Sequence, residues 1–197
     1  MIRKGIIVTR DGMRLLGGPG SGNFGHGGIP GQRGGSAAGS GGIAKNVDGN
    51  DFTFDQAKNA ADKKNGAIVN SAANRDLKER AREGTRIMEY GQHKYEQHRN
   101  MADRDRHWVV TGDIDDPDGV GYIYHDAGAD HIYIEAAASL DVSKPGTGVR
   151  VINYAKKLAK EKGVKKLKLE YTDNSRPYYE KKGWKLNDDE YEAEYDL

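Results

Sequence analysis

The sequence contains no cysteine, so disulfides, thiolate nucleophiles and zinc–thiolate sites are excluded together. It also lacks an excess of either charge. The 31 basic residues face 30 acidic ones for a net charge of +1, and no overall field draws the chain to nucleic acid or to an anionic membrane. Long apolar runs are missing too. The N-terminal run Gly5-Ile6-Ile7-Val8 falls far short of the ~20 residues of a membrane span, and of a signal peptide's apolar stretch, so an unsecreted soluble protein is expected. Hydrophobic residues make up only 36% of the 197 positions, while 27 are Gly, many clustered where no core can form. One core smaller than the chain is expected, held by packing alone.

Three regions follow from the composition. Residues 1–16 form a basic and apolar leader with a possible strand at Ile6, Ile7 and Val8 and a turn at Asp11-Gly12. Half of residues 17–42 are Gly, a stretch that cannot offset its ordering entropy by burial and should act as a flexible linker or tag. Residues 43–197 carry the folded domain, with a helical part over 43–106 and a sheet-bearing part over 107–197.

Within the helical part, residues 55–64 read as a first helix. Residues 71–106 read as one long or two shorter helices, with Leu77, Ala81, Met88, Tyr95 and Met101 on one stripe and a break or kink expected at Gly84 and Gly91. The period then changes. Residues 107–111, 120–125 and 131–142 are β-branched and aromatic runs separated by turn residues, which predicts an antiparallel meander. A helix over 148–162 closed by Gly163, a strand over 166–171, a short helix over 175–182 and a terminal strand or hairpin over 184–197 complete the order. The fold class is α+β, a mostly antiparallel mixed sheet flanked by helices.

Several motifs carry little chemistry. Asp113-Ile114-Asp115-Asp116-Pro117-Asp118-Gly119 has the acidity of a calcium loop, but Pro117 occupies a ligand position and no Glu follows at the required distance, so an acidic hairpin turn is expected. His93 and His98 are five apart, off one helix face, and the histidines read as surface residues with no metal site.

The string Ser143-Lys144-Pro145-Gly146-Thr147-Gly148, lying between a strand and a helix, has the physics of a phosphate cradle. Glycines let backbone N–H groups approach an anion, and the helix N-terminus adds about half a positive charge. About 30 residues on stands Tyr179-Glu180-Lys181-Lys182-Gly183-Trp184. With the element order and with Ala159 and Gly163, these two strings resemble the GNAT (GCN5-related) N-acetyltransferases, whose members carry Q/R-x-x-G-x-G/A before the third helix and a Tyr-Glu-Lys-x-Gly-aromatic string after the following strand. The sequence departs from that pattern at Ser143, where the family prefers Gln or Arg, and in a turn shorter than the commonest form.

The resemblance implies acetyl-CoA as co-substrate, held by Leu140, Val142, Ser143, Lys144, Gly146, Thr147, Gly148, Val149, Arg150, Asn174 and Tyr178, with Lys144 or Arg150 supplying the charge that Ser143 does not. Residues 136–142 would offer backbone groups to the pantetheine arm where the fourth and fifth strands splay. Tyr179 matches the family's acid for the departing thiolate, and equally fits a tyrosine packed in the core. Glu135 is the first candidate for the base. It stands one residue out of register, so the alternation of a strand gives it the right face only if a bulge intervenes. Asp113, Glu170 and an ordered water are the alternatives. Without cysteine to carry an acyl group, direct attack by an amine acceptor is implied.

Residues 17–36 also resemble a Gly-rich peptide of tailed-phage head-assembly proteins. That implies phage or prophage origin, phage head or portal proteins as partners, and a place in the host cytoplasm or on the virion. A non-catalytic GNAT-fold module serving the phage head or DNA packaging is the alternative function.

Overall fold

The computed structural model describes residues 45–46, 54–71, 75–144, 146–173 and 175–197. The leader strand at residues 6–8, the Gly-rich segment and its phage resemblance, and Asn174 of the expected coenzyme site lie outside the described residues.

Seven strands form one sheet in the order β1-β2-β3-β4-β5-β7-β6. A two-residue strand β1 (Lys45–Asn46), not anticipated from the sequence, edges β2 (Arg104–Gly112). From β2, the expected meander runs antiparallel through β3 (Pro117–Asp126) and β4 (His131–Ser139). β4 then pairs in parallel with β5 (Lys166–Glu170), and helix α3 (Thr147–Lys162) makes the crossover that a parallel pair requires. The C-terminal end is a hairpin of β6 (Lys185–Asn187) and β7 (Glu192–Asp196). β7 inserts antiparallel beside β5 and leaves β6 at the edge.

Strand alternation sorts two cores. Ile132 and Ile134 of β4 and Leu167 and Leu169 of β5 face α3, whose Val151, Ile152, Ala155, Leu158 and Ala159 recur at helical spacing. The short helix α4 (Arg176–Lys181) contributes Tyr179 to this core beside Trp184. On the other face, helices α1 (Phe54–Asn70) and α2 (Arg75–Gln97) cover Trp108, Val110, Val120, Tyr122, Ala136 and Ala138.

Four expectations are corrected here. α2 runs unbroken through Gly84 and Gly91, because these glycines serve packing and not bending. A Cβ on Gly84 would lie 2.6 Å from the Ser139 carbonyl oxygen and one on Gly91 would lie 2.8 Å from the Ala136 Cβ, so only glycine lets the helix rest on β4. Met101, placed on the buried stripe, lies past the helix end and is 48% exposed. Pro117 opens β3 instead of sitting in the hairpin turn. His98 is buried, as described below.

The opposite face shows the same use of glycine. Cβ atoms on Gly119 and Gly121 of β3 would stand 2.1 Å from Thr147 Cγ2 and 2.7 Å from Val151 Cγ1, so α3 lies directly against the β3 backbone. Among the described residues no helix is long and apolar enough to cross a membrane.

Candidate functional site

β4 and β5 part at one end of the sheet. Their parallel ladder runs from His131 opposite Lys166 to Ile134 opposite Leu169 and stops, leaving residues 135–139 of β4 paired only with β3. On the β3 side Tyr122 pairs with Ala136 and Ile123 with Ile134, so Glu135 is the extra residue of a β-bulge. That is the device the one-residue mismatch required. Ile134 stays in the α3-side core and Ala136 in the α2-side core, and Glu135 reaches the α2 side. There it accepts a 2.8 Å hydrogen bond from the Tyr90 hydroxyl of α2.

Aromatic rings line the sheet beside it. Tyr124 and Tyr133 stack at 5.3 Å between ring centroids. Burial pushes both phenols well above their ordinary range, and the charges of Glu135 and Glu170 add to the rise. Further along, the Arg104 guanidinium lies 3.9 Å over the Tyr124 ring and grips Asp126 through Nε at 2.5 Å and Nη2 at 2.7 Å. It also contacts His98, which is only 8% exposed and hydrogen-bonds the Tyr122 hydroxyl at 2.6 Å. Burial, reinforced by Arg104, lowers the imidazole from 6.5 to about 4. His98 is therefore a neutral core residue at pH 7 and not a surface histidine.

Beyond β4 the chain turns into α3. Gly146 holds φ of +98°, the left-handed region that glycine adopts without strain. The first helical bond joins the Arg150 N–H to the Gly146 carbonyl, so the N–H groups of Thr147, Gly148 and Val149 precede the ladder at the helix N-terminus. Gly163, at φ of +73°, closes the helix as expected.

The other expected coenzyme residues divide. Leu140 and Val142 turn their side chains into the protein. Their backbone donors are already engaged, Leu140 N–H with the Asp118 carbonyl at 3.0 Å and Val142 N–H with Asn65 Oδ1 at 3.2 Å. Ser143 is exposed and bonds Asp141 through both its N–H and its hydroxyl. Lys144 lies 3.6 Å from Asp116 and 3.8 Å from Asp141. Arg150 Nη2 bonds Asp118 Oδ1 at 2.6 Å.

Tyr179, 4% exposed, sits edge-on to Trp184 and Tyr178 in the α3-side core. Burial, with Tyr178 adding to it, raises its phenol far above the ordinary value, and it holds its proton at any physiological pH. Tyr178 is half-buried and its phenol is raised by burial alone. Glu135 and Tyr179 thus belong to opposite faces of the sheet.

Sequence reasoning missed Asn65, Tyr90 and Asp118. Asn65, 2% exposed on α1, donates to the Ser139 carbonyl at 3.0 Å and accepts from Val142, clamping the end of β4 to the turn. Nothing in the helix period marks it. Asp118 adjoins Gly119 and Gly121, whose two-residue spacing signals a strand face lying against another backbone.

No family model matches the sequence and no curated protein matches it. Solved structures do. A GCN5-related N-acetyltransferase, aminotransferase class II, from Rhodopseudomonas palustris shares 11% identity over 83% of this chain and 100% of its own, with a TM-score of 0.51. The PaiA N-acetyltransferase of Thermoplasma acidophilum, in complex with coenzyme A, shares 14% over 78% and 98%, with a TM-score of 0.46. A GNAT-family acetyltransferase of Staphylococcus aureus Mu50 shares 11% over 73% and 83%, with a TM-score of 0.42. At such identities the likeness concerns architecture alone, and the chain has the fold of the GCN5-related N-acetyltransferases.

Proposed function

We propose that this protein is an N-acetyltransferase that moves an acetyl group from acetyl-CoA to an amine of a protein or small molecule by direct attack. One observation carries the reading: the parallel ladder of β4 and β5 opens at the end where the Gly146 turn presents the α3 N-terminus, and the β4 bulge puts Glu135 beside the opening. The residues present fit the coenzyme. Gly146 leaves space that a side chain would restrict, Thr147, Gly148 and Val149 offer N–H groups to the diphosphate, and Arg150 adds positive charge.

Each residue then has a part. Glu135 takes the proton that an ammonium must lose before its nitrogen attacks the thioester carbonyl, and Tyr90 orients that carboxylate. The thiolate that leaves as the carbon–sulfur bond breaks must also gain a proton, and Tyr179, the acid the resemblance implies, gives it only where substrate binding uncovers its hydroxyl from the α3-side core. Glu135 and Glu170, the residues that follow the last β4–β5 pair, favour a cationic acceptor. Tyr178 packs along the coenzyme.

Ser143 in place of Gln or Arg, together with a Val142 N–H already bonded to Asn65, favours a second reading: a non-catalytic module on the same fold. The resemblance of residues 17–36 to tailed-phage head-assembly peptides supports phage or prophage origin and a head or portal partner for either reading. Calorimetry with acetyl-CoA separates the two. Micromolar to millimolar binding is expected of the enzyme, and no binding at millimolar ligand would refute it.

A further inference from the structure

Asp118 is the second residue of β3 and is only 9% exposed. Its Oδ1 accepts from the Thr111 hydroxyl at 2.7 Å and from Arg150 Nη2 at 2.6 Å. Its carbonyl accepts from the N–H groups of Leu140 and Asp141 at 3.0 and 3.3 Å and from the Thr147 hydroxyl at 3.4 Å. One residue thus joins β2, the end of β4, the turn and the first turn of α3. Glycines on both sides make room for it: a Cβ on Gly112 would meet the Asp118 carboxyl carbon at 3.0 Å, and one on Gly119 would meet Thr111 and Thr147.

The carboxylate fixes where the guanidinium lies. Arg150 Nη2 is anchored between Asp118 and Thr147, and Nη1 then stands beside the turn, 3.6 Å from the Cβ position of Gly146. Arg150 Nε is buried with no hydrogen-bond partner among the described residues. Side chains among the described residues engage Nη2, and Nη1 is the donor placed to meet an anion at the helix N-terminus. Ser143 bonds Asp141 through both its N–H and its hydroxyl, so the charge for an anion at this turn must come from another position.

We propose that Asp118 is a positioning residue for the coenzyme site: it aims Arg150 at the Gly146 turn, so that Arg150 takes over the diphosphate contact that Ser143 cannot make. The proposal rests on the coenzyme A reading above. It makes a prediction opposite in sign to simple Coulomb attraction. Removing a negative charge near a bound anion should tighten binding, whereas losing the aim of Arg150 should weaken it.

The test is calorimetric binding of coenzyme A to the full chain in a double-mutant cycle of Asp118→Asn and Arg150→Gln. Asp118→Asn is expected to weaken binding about tenfold, the size of one charge-assisted hydrogen bond. Arg150→Gln should weaken it at least as much. Asp118→Asn should cost nothing further in the Arg150→Gln background, where a purely structural role would cost the same again. Tighter or unchanged binding by Asp118→Asn, or an equal loss in both backgrounds, overturns the proposal and leaves the coenzyme reading standing. No binding by the wild-type chain overturns that reading and the positioning role with it. Should Asp118→Asn fail to fold, Arg150→Lys keeps the charge but not the fork that spans Asp118 and the turn. A tenfold loss is expected, and unchanged affinity overturns the proposal.

Discussion

Replacing each of two helical glycines by alanine should move stability in opposite directions. In a helix interior alanine is favoured over glycine by about 1 kcal/mol, whatever the position. At Gly66 of α1 nothing lies within 4 Å of the new Cβ, so Gly66→Ala should express that preference and stabilise by about 0.5–1 kcal/mol. At Gly84 of α2 the Cβ would lie 2.6 Å from the Ser139 carbonyl oxygen, a backbone atom that also accepts from Asn65. No rotamer relieves such a contact, so α2 must move off β4. Overpacking of this kind costs about 1–3 kcal/mol, leaving Gly84→Ala destabilised by up to about 2 kcal/mol after the helical gain. The two variants should differ by about 1–3 kcal/mol, a separation of about 2–12 °C in Tm for a domain of this size. Thermal and urea unfolding followed by circular dichroism would read it. Equal shifts for both would refute the view that Gly84 is there to let α2 lie on β4.

Other perturbations follow the same geometry. Asn65→Ala leaves the Ser139 carbonyl and the Val142 N–H without their side-chain partner, so a loss of about 1–3 kcal/mol in urea unfolding is expected, with weaker coenzyme A binding because the turn loosens. His98 has its imidazole lowered from 6.5 to about 4, so the unfolded chain binds a proton that the folded one refuses between those values. Stability should therefore fall as pH drops from about 6.5 to 4, by at most about 3 kcal/mol, and His98→Gln should flatten that slope. Arg104, Arg106, Lys94, Asp126 and Tyr122 surround the ring and stay in place in that comparison. Once an acceptor is found, Glu135→Gln should lower kcat about 10²–10⁴-fold with coenzyme binding retained. Tyr179→Phe should lower it with little change in Tm, because among the described residues the Tyr179 hydroxyl makes no hydrogen bond that would be lost. Unchanged turnover in Tyr179→Phe would leave Tyr179 as a core residue only.

The alternation of Ile132, Ile134, Leu167 and Leu169 and the helical spacing of Val151, Ala155 and Leu158 are local signals, and from them the sequence determined strands β4 and β5 and the third helix. It determined that Gly163 would end α3, because a left-handed closing residue is a one-residue requirement. It could not tell whether Gly84 and Gly91 bend a helix or admit a neighbouring strand, since that depends on a backbone more than 40 residues away. The bulge at Glu135 was named as a condition but could not be read from the strand itself, being a mismatch between two strands and not a property of one. Only tertiary structure brought Asn65 to the end of β4, buried His98 under Arg104, and turned Asp118 out of an acidic hairpin onto Arg150. Patterns of period two and 3.6 record which face of an element is buried. A polar side chain's partner is fixed by strand order and helix placement, which no local period encodes.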